Sequence, residues 1–293
     1  MIELRRLYPD PVPAIHPLPE YAATGRRKEH YEDMKQALQV PWMGVVTMAY
    51  AHYPGFFAVL WEGLKPLVRS SAYVDQARAL RRFVEDEVRA LAPPPIGARL
   101  RELGYAEREL DGIRGVIEVF SHGNFLYFIL ATLTRLLLEG GEMRGTGEAP
   151  PCKERHAPQV QVPFVLMEAH HADAPTRAVY ADIQSSLRLP FVNTDYRALA
   201  RWPSYFALAW ADLKKVLGGT AHDAICEAVH RRAADAVARI LPNPGRLTSA
   251  ALRAAADKDA SAAEVLQMCR LFQWLLPGLV TNVAFFRRQL EAA

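Results

Sequence analysis

The chain carries a copy of part of itself. Laid over itself at an offset of 149, residues 31–68 match residues 180–217 without a gap. Twelve of the 38 positions are identical: Tyr31/Tyr180, Asp33/Asp182, Leu38/Leu187, Pro41/Pro190, Ala49/Ala198, Ala51/Ala200, Pro54/Pro203, Phe57/Phe206, Ala58/Ala207, Trp61/Trp210, Leu64/Leu213 and Lys65/Lys214. Ordinary residue frequencies would give about two. A weaker echo at an offset of 152 sets residues 113–139 against 265–291. The sequence therefore predicts a tandem duplication of a unit of roughly 120 residues. This constrains the fold more than composition can, because both copies must fold alike and bury the same face.

The boundaries that follow are an N-terminal extension over 1–25, a first repeat over 26–139, a linker over 140–176 and a second repeat over 177–293. The linker is rich in Gly, Pro, His and charge. Residues 74–91 and 222–240 place apolar side chains with a period near 3.6, and no stretch alternates with period two for long. Pro93-Pro94-Pro95 and Asn243-Pro244-Gly245 interrupt the two copies at equivalent places. The expected fold is all-α, with two homologous helical units packed as a pseudo-two-fold dimer and a cleft between the repeats as the place for a site. Because the copies share their scaffold, positions where they differ chemically are the candidates for function.

Composition narrows the possibilities. With 293 residues, 51% apolar and 23% charged, the chain reads as globular and long enough to bury a core without staples. Its net charge of +3 comes from scattered Arg residues, and no basic block is interleaved with aromatics, so nucleic acid is not an expected partner. Residues 40–61 are uncharged over 22 positions, enough on paper to span a bilayer. Pro41, His52 and Pro54 break that run into two elements meeting at a bend. The uncharged runs 119–134 and 271–286 carry polar residues and read as central helices, so no membrane is expected either. Cys152, Cys226 and Cys269 form no CxxC pair, and the first residues are charged and then proline-rich where a signal peptide is apolar. A reducing cytoplasm is the expected compartment. GxSxG, HExxH, P-loop and GxGxxG signatures are absent from the sequence.

The sharpest mismatch follows the shared Leu-Xaa-Xaa-Pro-aromatic. The first copy reads Trp42-Met43-Gly44-Val45-Val46, the second Phe191-Val192-Asn193-Thr194-Asp195. An acid thus replaces Val46. Either Asn193 or Thr194 caps the next helix with Asp195 in its first turn, where the helix dipole favours it, or Asp195 is a carboxylate held in apolar surroundings that raise its proton affinity and fit it to be a general base. Both can hold together. The second mismatch sets Phe120-Ser121-His122-Gly123-Asn124 against Phe272-Gln273-Trp274-Leu275-Leu276. A glycine there weakens a helix by roughly 1 kcal/mol. A buried Asn124 must find partners, either on a neighbouring helix or by holding a water. His222, Cys226 and His230 fall at i, i+4 and i+8 and read as structural, while His170-His171-Ala172-Asp173 lies in the linker and reads as a solvated loop.

Tyr31-Glu32-Asp33, Val40-Pro41-Trp42, Tyr53-Pro54-Gly55, Phe120-Xaa-Xaa-Gly123-Asn124 and Thr194-Asp195-Tyr196-Arg197-Ala198-Leu199-Ala200-Arg201-Trp202-Pro203 together resemble the group I 2-haloacid dehalogenases. The similarity runs from about residue 25 to the end, in order and with the duplication. It implies an all-helical pseudo-dimer that often forms homodimers and uses no metal or organic cofactor. Asp195 would deprotonate a water that Asn124 helps to hold. That water would attack the halogen-bearing α-carbon of a small halogenated carboxylate directly and with inversion. Trp42 matches an aromatic of the family pocket, with its indole edge toward the departing halide, and Thr194 stands where a small hydroxyl residue lies near the substrate carboxylate. Val45 replaces a pocket Phe and Phe272 an expected Tyr, so the pocket is reshaped. Asn193 matches members that lean toward D substrates.

Two alternatives belong to other classes. The first is a non-catalytic relative that binds a small carboxylate or a protein partner in the inter-repeat cleft, which the altered Val45 and Phe272 favour. The second is a helical peroxidase-type redox protein, which needs a cysteine pair that these spacings do not supply.

Overall fold

The computed structural model describes residues 3–159 and 163–291. Among them, twelve α-helices and no strand are found: α1 (Gly25–Leu38), α2 (Val45–Tyr50), α3 (Pro54–Val68), α4 (Ser71–Glu87), α5 (Gly97–Glu102), α6 (Glu107–Leu138), α7 (Ala174–Leu187), α8 (Thr194–Leu199), α9 (Pro203–Lys214), α10 (Thr220–Asp235), α11 (Ser249–Asp259) and α12 (Ala262–Glu291). The protein is all-α. The uncharged run 40–61 does break into two helices, α2 and α3, with Pro54 at the first position of α3, where a missing N–H costs nothing. The helical stretches read at 74–91 and 222–240 end irregularly, α4 in a 3-10 turn (Val88–Leu91) and α10 in a π turn (Ala236–Ile240). Among the described residues α6 alone is long and apolar enough to cross a membrane, and 89% of its apolar window is buried inside the protein.

Contacts recur at the sequence offset. Trp61 Nε1 donates to Asp33 at 2.8 Å and Trp210 Nε1 to Asp182 at 2.8 Å. Lys65 and Lys214 pair with the same two carboxylates at 2.8 and 2.6 Å. The rings of Tyr31 and Phe57 meet edge-on at 5.8 Å, those of Tyr180 and Phe206 at 5.9 Å. Gln39 (φ 52°) and Arg188 (φ 54°) end α1 and α7 in the left-handed region, and the next N–H in each case returns to the helix, Val40 to Lys35 O and Leu189 to Gln184 O. The correspondence starts earlier than residue 26: Leu18 N donates to Met48 O and Met167 N to Arg197 O, both at 2.9 Å. The hydroxyls of Tyr31 and Tyr180 bond the carbonyls of Leu18 and Met167.

Two compact units are present, and neither is a continuous stretch of chain. The first comprises Met1–Arg82, His122–Ala157 and Glu227–Leu279, the second Phe83–Ser121, Pro158–Cys226 and Val280–Ala293. Each therefore combines helices from both halves of the sequence. In the first unit, α3 begins without a side-chain cap from Tyr53, and its Phe56 N–H is met instead by Asp259 of α11 at 2.7 Å. Tyr53 itself donates to Glu264 at 2.7 Å. In the second unit, α9 begins without a cap from Trp202, and its Tyr205 N–H is met by the Tyr105 hydroxyl at 3.2 Å. There Asp212 accepts from Arg99 at 2.6 Å and Gln289 at 3.2 Å. Burial opposes ionisation of Asp212, but its Lys215 and Arg99 partners outweigh that and hold its pKa below the usual carboxylate range.

The N-terminal stretch is part of the first unit. Arg6 Nε donates to Trp274 O at 3.1 Å, Tyr8 packs edge-on to Trp274 at 4.6 Å, and buried Arg135 donates to Arg5 O at 2.9 Å. Arg135 also meets Glu139 at 2.8 Å and Gln273, so its charge is compensated. Of residues 140–176, the part up to 157 hydrogen-bonds within the first unit, through Ser71 N to Pro150 O, Cys152 N to Arg69 O, and Gln39 Oε1 to the amides of His156 and Ala157.

Close packing explains one glycine of the first unit. A Cβ on Gly63 in α3 would stand 2.8 Å from Leu247 Cβ, whereas one on Gly115 in α6 would meet nothing within 4 Å. We expect Gly63→Ala to destabilise by about 1–3 kcal/mol through overpacking. Gly115→Ala should stabilise by up to about 1 kcal/mol through helix propensity. Urea unfolding midpoints should move in opposite directions for the two variants.

Candidate active site

The residues singled out in the sequence divide between the units. Trp42, Val45, Asn124 and Phe272 belong to the first, Asn193, Thr194 and Asp195 to the second.

In the second unit, α8 is a short helix whose whole first turn is buried. Asn193 holds the N-cap position with extended backbone (ψ 154°), as the sequence suggests, but its side chain makes no capping bond. Its Oδ1 is buried and has no hydrogen-bond partner in the protein. Thr194 and Asp195 follow, Asp195 with only 2% of its surface exposed. A carboxylate at this position feels the positive end of the helix, which favours its ionised form. One turn on, Arg197 Nη1 lies 2.7 and 2.9 Å from the two oxygens of Glu168, and its Nη2 is 3.5 Å from Thr194 Oγ1. The segment carrying Glu168 is thus strapped to α8, helped by the Met167 N to Arg197 O bond and by Arg201 donating to Pro163 O at 3.1 Å. Tyr196, fully buried, accepts from Asn282 Nδ2 at 2.9 Å.

In the first unit, Trp42 is seated against α6. The Tyr127 hydroxyl donates to Trp42 O at 2.7 Å and the two rings lie 5.8 Å apart. A Cβ on Gly123 would come within 2.4 Å of Trp42 Cη2 and 3.0 Å of Val40 Cγ1. The glycine that the sequence marks as a weak point in an apolar helix is what lets the indole lie flush. Asn124 is the next residue along and is 5% exposed. Val45 opens α2 and is partly exposed, while Phe272 on α12 is buried. Sequence reasoning passed over Tyr127, although Gly123 and Tyr127 at i and i+4 share one helix face. It also passed over Arg197, whose counterpart in the first copy is Met48, a mismatch of the same kind as Asp195/Val46.

The His and Cys residues are engaged structurally. His222 Nε2 lies 2.9 Å from Asn282 Oδ1, and Cys226 lies 3.7 Å from both His222 Nδ1 and Thr281 Oγ1. His230 bonds the Leu4 carbonyl, and Asp173 caps α7 by accepting from Thr176 N at 2.8 Å. The cysteines are all free thiols, and burial pushes Cys269 up to about 12. Among the described residues no three His, Cys, Asp or Glu side chains are grouped to hold a metal ion.

No family model matches the chain. An (R)-2-haloacid dehalogenase of Rhizobium sp. (strain NHG3) is 49% identical over 248 residues, 84% of this chain and 96% of its own length. An (R)-2-haloacid dehalogenase of Pseudomonas putida is 37% identical over 279 residues, 94% of this chain and 92% of its own. The solved structure of a D-2-haloacid dehalogenase in complex with L-LA superposes with a TM-score of 0.89 at 34% identity, covering 99% of this chain and all of that one. The chain belongs to the group I 2-haloacid dehalogenase family.

Two expectations follow from this geometry. Gly123→Ala must displace the Trp42 indole, and we expect a loss of about 1–3 kcal/mol despite the better helix former. Adding Trp42→Phe should restore part of that loss in denaturant titrations. The second concerns His122, whose Nε2 bonds Leu38 O at 3.1 Å and whose ring lies 5.1 Å from His156. Burial first, then His156, Arg81 and Arg78, lower its pKa from 6.5 to about 4. Between those values the unfolded chain binds more protons at this ring than the folded protein does. The stability His122 contributes is therefore intact above about pH 6.5 and lost as pH falls toward about 4, by about 3 kcal/mol at most. His122→Gln should flatten the unfolding free energy across that window.

Proposed function

We propose that this chain hydrolyses short 2-haloalkanoic acids, D enantiomers preferentially, to 2-hydroxy acids and halide. The observation that carries the reading is Asp195: a buried carboxylate in the first turn of α8, where the first copy has Val46, in a chain 49% identical to an (R)-2-haloacid dehalogenase. Asp195 removes a proton from a water whose oxygen forms a bond to the α-carbon as the carbon–halogen bond breaks. The halide leaves with the bonding pair and the proton passes from Asp195 to solvent. Attack in line with the leaving group inverts the centre. Such a displacement needs an oriented water, a base in reach and a dry pocket.

Asn124 takes the role of holding the water, which suits a buried amide in the uncharged stretch 119–134 of α6. Trp42 faces the departing halide through its indole edge, and Thr194 receives the substrate carboxylate. The Arg197 contact to Thr194 supports that role, since an oxygen that accepts from a guanidinium keeps its own proton for an anion. Val45 and Phe272 shape the pocket, and Asn193, with its buried Oδ1 unpartnered in the protein, selects the enantiomer. Neither metal nor organic cofactor enters this scheme. We place the enzyme in the cytoplasm, as free thiols suit, and read it as a homodimer acting on neither membrane nor nucleic acid. We also read the chain as two repeats over 26–139 and 177–293, joined by a linker over 140–176. The Asp33–Trp61 and Asp182–Trp210 contacts at the shared offset support the duplication.

The experiment is halide release from separate D- and L-2-chloropropionate and 2-bromopropionate, in chelator, with Asp195→Asn alongside. Release is expected to favour the D substrates, to survive chelation and to fall by at least about a thousandfold in the variant. Full activity in folded Asp195→Asn removes the assignment of the base. No release from any of the four by folded wild-type protein overturns the reaction.

A further inference from the structure

One peptide group in the first unit is held at both ends by side chains. Between Trp42 and Met43 the carbonyl accepts from the Tyr127 hydroxyl at 2.7 Å, and the N–H donates to Glu20 Oε1 at 2.7 Å. This peptide lies between α1 and α2, outside either helix, so its partners must come from elsewhere. Because a peptide group is planar, fixing its oxygen and its N–H fixes its orientation, and with it the Trp42 Cα from which the indole projects. The other carboxylate oxygen of Glu20 lies 2.7 Å from Lys35 Nζ, which keeps the acid turned toward Met43. Two residues earlier the chain is anchored in turn: Leu18 N donates to Met48 O and Leu18 O accepts from the Tyr31 hydroxyl, both at 2.9 Å. The Tyr127 ring closes the seat, standing 3.1 Å from where a Cβ on Gly44 would lie.

The other copy cannot build this arrangement. At the offset of 149, Ala169 stands for Glu20, Gln184 for Lys35, and Phe191 and Val192 for Trp42 and Met43; at the offset of 152, Leu279 stands for Tyr127. Alanine and leucine side chains can make neither bond, and Glu168, beside that alanine, is committed to Arg197. A need of the shared scaffold would be met in both copies. Its appearance in one copy alone points to a demand particular to Trp42.

We infer that Glu20 and Tyr127 are positioning residues that lock the Trp42–Met43 peptide and so hold the Trp42 indole in the orientation that receives the departing halide. The inference rests on the reading of Trp42 given above. An indole presents a positive edge and one N–H donor, and such a group lowers a barrier most when it is aimed in advance at the place where charge develops. With its peptide free to turn, the indole would have to be ordered during the reaction itself. A residue of the N-terminal extension thereby takes part in the site.

The test is kcat and KM on D-2-chloropropionate and D-2-bromopropionate for wild type, Glu20→Ala, Glu20→Gln, Tyr127→Phe, Trp42→Phe and the double variant Glu20→Ala/Trp42→Phe. Chloride leaves less readily than bromide, so the chlorinated substrate depends more on help to the leaving group. In Glu20→Ala and in Tyr127→Phe we expect kcat to fall about tenfold on the chloride and about threefold on the bromide, with KM little changed. Glu20→Gln, whose amide oxygen still accepts from Met43 N–H, should stay within about twofold of wild type. The double variant should show the same bromide-to-chloride ratio as Trp42→Phe alone. An equal fall on both substrates, no fall in Glu20→Ala, or a Glu20→Gln as poor as Glu20→Ala overturns the inference. If Tyr127→Phe does not fold, the Glu20 variants decide alone. Trp42→Phe with an unmoved ratio removes the reading of Trp42 and this inference with it, while a ratio moved by Trp42→Phe and not by Glu20→Ala removes the peptide lock alone.

Discussion

A helix leaves its first N–H groups unpaired, and when that end is buried something must accept from them. Tyr53 and Trp202 occupy the caps of α3 and α9 and supply no side-chain acceptor. The acceptors come from residues at sequence separations of 203 and 100: Asp259 for Phe56 and the Tyr105 hydroxyl for Tyr205. Each unit is therefore incomplete without helices from both halves of the chain. The closeness of Leu247 to Gly63 and the Arg99–Asp212 pair lie on the same two surfaces and follow from this arrangement.

With α3 and α9 held this way, α2 and α8 become short helices preceding a rigid neighbour. The two are built alike and then differ in what surrounds them. Around α2 the contacts are aromatic and tight, with Trp42 between Gly123 and Tyr127. Around α8 they are polar and charged: Arg197 with Glu168, Tyr196 with Asn282, and His222 behind. A buried acid tolerates such a setting because each neighbouring polar group is oriented by another.

Much of the local structure was legible from period and punctuation. The all-α class, the break of residues 40–61 at Pro54 and the helical runs 119–134 and 271–286 all follow from side-chain spacing and proline chemistry. So did the place of Asp195 in the first turn of a helix. Where local rules misled, a distant residue was responsible. Asn193 stands at the cap but does not cap. Gly123 looked like a defect in α6 and is a seat for Trp42.

The sequence by itself determined which residues are helical, which faces are apolar and where an acid replaces a valine, because these depend on neighbours within a turn or two. Only the tertiary structure decided what caps α3 and α9, why Gly123 has no side chain, and which residue holds the Tyr196 hydroxyl. Each of these is a contact between residues 80 or more apart in the chain: Trp42 with Gly123, Tyr196 with Asn282, Phe56 with Asp259. Such pairs leave no periodic trace. They arise because a buried polar atom or a bulky ring must be matched by whatever the packing brings to it.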